Sequence, residues 1–505
     1  MSATLLYSLH ITHAALWYDE AVEYFYSKYM TGSVPGSFGT NNMYERICST
    51  FQPPLYNFLM YFWLKIFDSE AGFRMAGILT TMVGSVGIFK AIEVKTKDIL
   101  YPNAGVCIYL CTSAVAYYGL ECGEYNLMLC FVSWTLYFFL RCLEKADTSS
   151  LIGFFLFACL SVYSQYGAAF VIIGLFISLF IRMCSDRNTG ALKSFVIISA
   201  VVGIFIALPL IFFFLIPQMT EQSSALVSHT PVFVHNCFFD YFWGIFECLA
   251  FSFRAYTNFT IGTLFVIASL VIILFSGFAA IKKKDDFSFL MLAFFLTFTM
   301  YYIAVMCSVY GYNSFEPDRL GCNNIGGRYS LFLAPIVVVS NVIGFKAVSE
   351  LFRDSKIMYK AVTIIGCLGL IGFCGTEFVK LTFIPWLKDD LRELSYAWYN
   401  DEAYNSHTLI HQWNDATFHY YLFHNDNYSD EYKDNIQAVD VWIKTADAQE
   451  IEQYLKDNGY LSMSDFYYIS PTNGSYYAFI DTVTANGYSI EEVYKEKSSL
   501  LHMTK

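Results

Sequence analysis

Charged residues are scarce in this sequence. Asp, Glu, Lys and Arg make up only 15% of its 505 residues, and 56% of the residues are apolar, whereas soluble domains carry about 25% charged residues. A chain made only of soluble domains is therefore excluded. The low-charge stretches recur at lengths near the roughly 20 residues that an α-helix needs to cross a bilayer. The sequence predicts a multi-pass integral membrane protein surrounded by membrane lipids.

Cysteine is missing from one part of the chain. None of the 14 cysteines lies after residue 376, so no disulfide framework can hold that segment together. Most of the 14 cysteines lie within apolar runs, where a thiol behaves as a small buried hydrophobe. No cleavable signal peptide is recognisable, and we expect the apolar segments themselves to direct insertion. The net charge of −12 disfavours nucleic acid as a partner.

The apolar runs predict an all-α membrane domain of about 11 transmembrane helices. One run, over residues 3–18, is short for a span. The others are 73–92, 104–120, 125–143, 150–165, 166–183, 194–216, 261–281, 287–307, 328–349 and 359–376.

Lysine and arginine concentrate in every second gap between these runs, and the positive-inside rule predicts that those gaps are cytoplasmic. The basic gaps hold Lys90 to Lys97, Arg141 to Lys145, Arg182 to Lys193, Lys282 to Lys284 and Lys346 to Lys360. The intervening gaps are nearly free of basic residues and are predicted to be extracytoplasmic. This alternation holds only if the aromatic stretch 54–67 does not cross, so we predict an interfacial helix there.

After residue 376 the pattern changes to that of a soluble domain. We therefore divide the chain into a transmembrane domain, 1–377, and a small extracytoplasmic α/β domain, 378–505. Because the second domain shows no catalytic motif, we expect it to serve acceptor choice or to cap a cavity, and to be dispensable for chemistry. Its predicted helices are 387–399, 405–423 and 447–458, and its predicted strands are 439–443, 466–470 and 476–483.

Two short motifs flank the first extracytoplasmic loop. Asp19 and Glu20 follow the first apolar run, and Gln52 precedes a Pro-Pro-Leu-Tyr sequence over 53–56 that opens the interfacial helix. This arrangement resembles the first loop of the GT-C membrane glycosyltransferases, in the branch of the protein mannosyltransferases and aminoarabinose transferases (families 39 and 83).

Further motifs agree with that branch in order and in predicted side of the membrane, over residues 16–345. They are Arg74 at the start of a span, Tyr117–Tyr125 with Glu121, the Tyr163–Tyr166 turn, and Gly327–Pro335 with Arg328 and Tyr329. The sequence also departs from the pattern. Gly123 stands where Arg is common, and Gln52 and Gln165 stand where His or Lys is frequent.

The resemblance implies transfer of a sugar from a polyprenyl-phosphate donor to a glycan, lipid or protein acceptor at the extracytoplasmic face. Asp19 would orient or deprotonate the acceptor, and Glu20 and Glu121 would assist. Asp19 and Glu121 could instead hold a divalent cation, Mg²⁺ or Mn²⁺, through oxygen ligands. No other cofactor is expected. The carrier would be undecaprenyl phosphate in the cell membrane of a bacterium, and dolichyl phosphate otherwise.

The departing phosphate needs a cation. Arg328 offers a bidentate fork to phosphate, and Tyr329 could add a hydrogen bond. Arg74 and Gln52 complete the predicted phosphate-binding set. Each of these residues also fits a structural role, because charged residues at span ends are commonly solvated or reach for lipid headgroups.

Two other functions are compatible with a multi-pass chain. A transporter or lipid flippase usually carries charges near the midplane or repeated halves, and neither is evident here. A non-catalytic scaffold would leave the shared side of the candidate residues unexplained. His407 and His411 have the spacing of a helical metal pair, but no carboxylate motif accompanies them. We interpret the aromatic-rich segment 413–423 as core and interface packing rather than as a carbohydrate platform.

Overall fold

The computed structural model describes most of the chain. Its described residues are 11, 15–30, 43–49, 52–186, 189–221, 267, 269–274, 286–307, 310, 328–383, 390–424, 435–438, 447–470 and 477–505. The chain divides into two compact units. The membrane unit comprises 1–11 and 44–385, and the sheet unit comprises 12–43 and 386–505.

Helices dominate the described residues. In chain order they are α1 (Tyr18–Lys28), α2 (Met43–Ser49), α3 (Leu55–Leu64), α4 (Glu70–Thr96), α5 (Leu100–Cys111), α6 (Ser113–Leu120), α7 (Glu124–Glu144), α8 (Thr148–Ser164), α9 (Ala168–Ser185), α10 (Thr189–Thr220), α11 (Phe287–Met306), α12 (Ala334–Leu351), α13 (Lys356–Phe383), α14 (Leu391–Asn400), α15 (Gln412–Phe423), α16 (Ala448–Asp457) and α17 (Tyr477–Ala485). A 3-10 helix, Arg328–Leu333, leads into α12.

Seven helices of the described part of the chain are long and apolar enough to cross a membrane. They are α4, α7, α9, α10, α11, the helix that ends at Leu351, and α13. Each coincides with a predicted span, and the shorter apolar helix α8 coincides with another. The prediction of a multi-pass, mainly helical membrane protein is confirmed. The predicted runs 3–18 and 261–281 lie largely outside the described residues.

The predicted span 104–120 is wrong in one respect, because it is not a continuous helix. The helix is interrupted between α5 and α6 at Thr112, which has extended backbone angles. The Thr112 hydroxyl donates to the carbonyl oxygen of Ile108 at 2.8 Å, a local bond with which threonine competes with helical geometry. Thr112 is fully buried, so the break lies inside protein, where irregular backbone is tolerated at membrane depth.

The stretch predicted as an interfacial helix forms α3, which has 10 residues. At 1.5 Å per residue such a helix is about 15 Å long, about half of the roughly 30 Å hydrocarbon core. It buries Tyr56 and Met60 against the membrane unit and exposes Phe58 and Phe62. The short length of α3 and its exposed aromatic side chains therefore agree with the interfacial prediction.

Ion pairs join several of the basic gaps at one end of the membrane unit. Lys95 contacts Asp286 at 3.1 Å, and Arg182 contacts the same carboxylate at 2.8 Å. Lys97 pairs with Glu144 at 2.9 Å. These contacts place the gaps after α4, α7 and α9 together, as the alternation of basic residues predicted. Helices α7 and α9 begin directly after the turns at 121–123 and 165–167 and end at these basic gaps, so the two turns lie at the opposite end.

The sheet unit contains five described strands. They are β1 (Thr408–Ile410), β2 (Ile436–Ala438), β3 (Asp465–Ser470), β4 (Ser489–Lys495) and β5 (Ser499–Thr504), in the sheet order β2-β1-β3-β5-β4. β1 pairs in parallel with β2 and β3, whereas β5 pairs antiparallel with β3 and β4. The predicted small α/β fold is confirmed.

Two predicted elements of this unit are wrong. Residues 477–483 of the predicted strand 476–483 form part of the helix α17, because Phe479, Thr482 and Val483 bury one helical face with a spacing of three and four. The predicted helix 405–423 instead begins with β1, whose three residues are all buried, as in a strand covered on both faces. The predicted strand 439–443 lies outside the described residues.

Alternation along β3 divides the core into two layers. Phe466 and Tyr468 pack on one face with residues of α16 and α17. Tyr467 and Ile469 pack on the other face with residues of α14 and α15, where Trp398 is fully buried. Helices therefore cover both faces of the sheet, with α16 and α17 on one face and α14 and α15 on the other.

Asp390, just before α14, holds the turn between β4 and β5 in place. Its carboxylate accepts hydrogen bonds from the backbone N–H groups of Lys497, at 2.8 Å, and Ser498, at 3.1 Å, in the turn between β4 and β5. We expect Asp390→Ala to destabilise the sheet unit by about 1–3 kcal/mol, the usual cost of leaving such donors unsatisfied. The measurement is amide exchange across 489–504, which should become faster.

The matched control is Glu452→Ala, which removes an exposed ion pair with Lys456 on α16. Such surface pairs contribute about 0–1 kcal/mol, so exchange across 489–504 should stay unchanged. Equal exchange in the two variants would contradict the role of Asp390.

Candidate active site

The turn between α6 and α7 carries buried acidic residues. Glu121 and Glu124 are only 4% and 3% exposed. The Asn126 side chain closes the turn by donating to the carbonyl oxygens of Glu121, at 3.2 Å, and Tyr118, at 3.4 Å. The predicted site residue Glu121 therefore lies buried in a hydrogen-bonded turn and is not solvated at a span end. Glu124 and Asn126 belong to the same turn, and the sequence analysis did not single them out.

Helix α4 lies close against this turn. A Cβ atom at Gly77 would lie 2.6 Å from Asn126 Nδ2 and 2.9 Å from the carbonyl oxygen of Gly119. Arg74 is one turn earlier on the same buried face, because residues three apart are neighbours on a helix. Its guanidinium pairs with Glu70 at 2.9 Å and donates to the carbonyl oxygen of Ile11. The structure thus brings Arg74 to the region of Glu121.

Gln52 lies in a second polar cluster of the membrane unit, which is organised by Gln218. The Gln218 side chain, fully buried near the end of α10, donates to the carbonyl oxygens of Gln52, at 2.7 Å, and Ile47, at 2.8 Å. Its own oxygen accepts from the Tyr166 hydroxyl at 2.8 Å. Gln218 therefore ties the stretch before α3 to the turn at 165–167. Sequence reasoning missed Gln218, a polar residue at the end of a strongly apolar run.

The turn at 165–167 also contacts the 3-10 helix that begins at Arg328. Gln165 donates to the Tyr310 hydroxyl at 3.0 Å, and a Cβ at Gly167 would lie 2.8 Å from the Phe332 ring. The same 3-10 helix packs against α6 and α7, the helices on either side of Glu121. The segment that begins at Arg328 therefore packs against the two helices that flank the Glu121 turn. The side chains of Arg328 and Tyr329 are outside the described residues.

Asp19 and Glu20 lie in the first turn of α1, which belongs to the sheet unit. Glu20 is fully buried, and its carboxylate accepts a hydrogen bond from the backbone N–H of Trp17 at 3.3 Å. Asp19 is half-buried. An acidic residue in the first turn is favoured by the positive end of the helix dipole, so both carboxylates also have a local structural reason to be here.

Helix α15 of the sheet unit carries titratable groups that the sequence analysis did not use. His419 Nδ1 lies 2.8 Å from the Asp415 carboxylate. Burial lowers the pKa of His419, but the Asp415 carboxylate outweighs burial, so the pKa lies above its usual value. Burial is the main cause that raises the pKa of Tyr18. Electrostatic repulsion from Tyr26, and then from the carboxylates of Asp19 and Asp415, raises this pKa further. Tyr18 thus lies near both Asp19 and the Asp415–His419 pair.

The metal prediction is not confirmed. Among the described residues, no group of three or more His, Cys, Asp or Glu side chains could hold a metal ion. His407 and His411 do not share a helical face, because β1 separates them. Burial lowers the pKa of His411 to about 4.

Two comparisons with known proteins bear on this arrangement. The sequence profile of the family described as dolichyl-phosphate-mannose-protein mannosyltransferase matches residues 51–213, less than half of the chain. Two crystal structures of ArnT from Cupriavidus metallidurans, one bound to undecaprenyl phosphate and one in the apo state, each match with a TM-score of 0.51 and 11% sequence identity. Each match covers 99% of this chain and 96% of that one. The chain has an ArnT-type fold.

The ArnT-type fold and the family match together confirm the resemblance to the GT-C membrane glycosyltransferases, and they indicate a glycosyltransferase. The family match contains Gln52, Arg74, Glu121 and Gln165, and it ends before Gln218. No curated protein matches the sequence.

The close approach of α4 to the Glu121 turn can be tested with Gly77→Ala. The added Cβ would collide with Asn126 and with the backbone of Gly119, and overpacking of this kind costs about 1–3 kcal/mol. We expect a lower apparent melting temperature of the purified protein in detergent.

Gly369→Ala is the control, because a Cβ at this position of α13 meets nothing within 4 Å. Alanine also favours a helix over glycine, so the control should melt at the same temperature as the wild type or higher. Identical melting of both variants would show that the turn is not packed as described.

Proposed function

We propose that this chain transfers a sugar from a polyprenyl-phosphate donor to an acceptor at the extracytoplasmic face of the membrane. The observation that carries the proposal is the ArnT-type fold over 99% of the chain. Undecaprenyl phosphate is bound in one of the ArnT crystal structures, and the matched family is described by a dolichyl-phosphate sugar. Both point to a sugar carried on a polyprenyl phosphate. The acceptor is proposed by class only, as a cell-surface glycan, a lipid or a protein.

The proposed chemistry exchanges one bond at the anomeric carbon for another. The bond from this carbon to the phosphate oxygen breaks, and the polyprenyl phosphate leaves with the electron pair. The acceptor oxygen or nitrogen bonds to the same carbon and gives its proton to Asp19. A positioned base of this kind contributes about 10²- to 10⁴-fold in rate. Glu20 and Glu121 assist by orienting the acceptor and by sharing protons with Asp19.

The donor phosphate is assigned to Arg328, Tyr329, Arg74 and Gln52. Support for this set comes from the packing of the 3-10 helix Arg328–Leu333 against α6 and α7. Arg74 lies on the neighbouring face of α4. Gln52 lies in the polar cluster around Gln218, and the turn that precedes α9 connects this cluster to the 3-10 helix.

The division of labour between domains and their orientation are part of the same proposal. Residues 1–377 contain the transferase domain, of which residues 12–43 pack in the sheet unit, and residues 378–505 lie on the extracytoplasmic side. The alternation of basic gaps supports this orientation, and in a bacterium the membrane would be the cell membrane.

A divalent cation held by Asp19 and Glu121 remains a separate hypothesis. Loss of transfer on treatment with EDTA, followed by recovery with added Mg²⁺ or Mn²⁺, would support it. Transfer that is unaffected by EDTA would remove the cation from the mechanism. The transporter and scaffold alternatives gain no support from the family match or from the fold.

Asp19→Asn tests the proposed base. The substitution keeps the size of the side chain but removes its charge and basicity, so turnover should fall by about 10² or more. The assay measures transfer of label from a panel of undecaprenyl-phosphate and dolichyl-phosphate sugars, mannose among them, to acceptors in membranes that carry each variant. Asp481→Asn, on the exposed side of α17, is the matched control. Wild-type turnover in Asp19→Asn, at normal expression, would refute the role of Asp19.

Arg328→Ala should mainly weaken binding of the donor, whereas Asp19→Asn should mainly lower turnover. Loss of a charge-assisted hydrogen bond to phosphate costs about 1.5–3 kcal/mol, or roughly ten- to a hundredfold in affinity. Binding of undecaprenyl phosphate to the purified protein measures this directly. Arg353→Ala is the control, because Arg353 is exposed at the opposite end of α12. If both variants bound undecaprenyl phosphate with wild-type affinity, Arg328 would not be a phosphate ligand.

A further inference from the structure

The segment that carries Asp19 packs inside the sheet unit, and its partner there is α15. The two are separated by almost the whole chain, since α1 covers Tyr18–Lys28 and α15 covers Gln412–Phe423. From its sequence, the C-terminal domain was predicted to be dispensable for chemistry. The packing of α1 on α15 gives that domain a direct hold on the proposed base.

The first contact lies just before α1. The Tyr421 hydroxyl accepts a hydrogen bond from the backbone N–H of Leu16 at 2.6 Å. Leu16 is fully buried, and Tyr421 is 8% exposed. Arg392 of α14 also donates to the Tyr421 hydroxyl, at 3.5 Å, and its guanidinium lies over the tyrosine ring. A buried backbone N–H needs an acceptor, so Tyr421 holds the chain three residues before Asp19.

The second contact lies nearly two turns into α1. The Tyr24 ring meets the Tyr420 ring edge to face, with 4.8 Å between the ring centroids. The Tyr24 hydroxyl lies 3.3 Å from His424 Nε2 and accepts from Lys28 Nζ at 2.8 Å. Phe25 adds a further edge contact with Phe423. This end of α1 is therefore held by aromatic packing as well as by hydrogen bonds.

Two anchors along one short helix determine its rotation about its own axis. Glu20 lies four residues before Tyr24, so the two share a face, and Glu20 is buried. Asp19 is about 100° further round the helix and remains half-buried. A rotation of α1 would exchange the exposure of these two carboxylates. The contacts with α15 thus decide which carboxylate is presented.

We propose that α15 of the sheet unit positions the catalytic base, and that Tyr421 is the positioning residue that does most of this through its hydrogen bond to Leu16. This inference rests on the proposed function of Asp19. It extends that function by making the C-terminal part of the chain necessary for efficient transfer, although its residues need not touch the substrate.

Tyr421→Phe is the test. It removes one hydroxyl and leaves the ring to pack, so the protein should fold. We expect turnover to fall roughly tenfold, with binding of undecaprenyl phosphate unchanged. Amide exchange across residues 16–21, measured on the full chain in detergent, should become roughly tenfold faster.

Tyr488→Phe is the matched control in the same unit. The Tyr488 hydroxyl donates to the carbonyl oxygens of Tyr460 and Met463, each at 2.8 Å, in the core layer on the other face of the sheet from α15. Its loss should destabilise the unit by a similar amount, yet leave both turnover and exchange at 16–21 unchanged. Equal losses of turnover in the two variants would reduce Tyr421 to a general structural role and overturn the proposal.

The double variant Asp19→Asn/Tyr421→Phe separates the two proposals. If Tyr421 acts through Asp19, the double variant is no slower than Asp19→Asn alone, because residues that act as a unit are not additive. Additive losses would overturn the positioning role while leaving Asp19 as the base. Wild-type turnover in Asp19→Asn would instead overturn the function proposed for Asp19, and the positioning role with it. Wild-type turnover or unchanged exchange in Tyr421→Phe overturns the positioning role alone.

Discussion

The constraint on which the membrane unit depends is that backbone polar groups at membrane depth must be satisfied within the protein. Helices meet this requirement along their lengths, and only the turns between them leave groups to be bonded. Here side-chain amides donate hydrogen bonds to these backbone groups. Asn126 closes the turn after α6, and Gln218 bonds two backbone carbonyls before α3. Within the membrane unit these amides lie beside the turns of a bundle whose spans are almost free of charge.

The same constraint explains why much of the architecture could be predicted. The period of apolar residues and the alternation of basic gaps follow directly from the thickness and sidedness of a bilayer. They identified α4, α7, α9, α10, α11, α12 and α13 from the sequence. They could not predict the break at Thr112, because that break depends on a local hydroxyl bond inside an otherwise apolar run. In the sheet unit, α17 was mistaken for a strand because its residues favour both structures and only burial decides between them.

The candidate site was predictable to a smaller extent. Glu121 and Arg74 could be named from motifs, and the structure brings them to neighbouring elements of one unit. The placement of Asp19 could not be predicted, since its helix packs on α15, about 400 residues later in the chain. No periodicity in either segment records a contact at that separation. The tyrosines of 413–423 were a signal for packing, but the sequence did not show that α1 was one of the partners.

The departures from the family pattern affect how charge is supplied to the donor. Gln52 and Gln165 stand where cationic side chains are frequent, and an amide can donate a hydrogen bond to phosphate without neutralising it. Gln165 already donates to Tyr310, and the charge of Arg74 is offset by Glu70 at 2.9 Å. In the proposed mechanism the negative charge that develops on the leaving phosphate therefore falls mainly to Arg328. A site that relies on one guanidinium should depend on it more strongly than a site that spreads the same charge over several cations, because charge-assisted bonds in a water-poor site are each costly to lose.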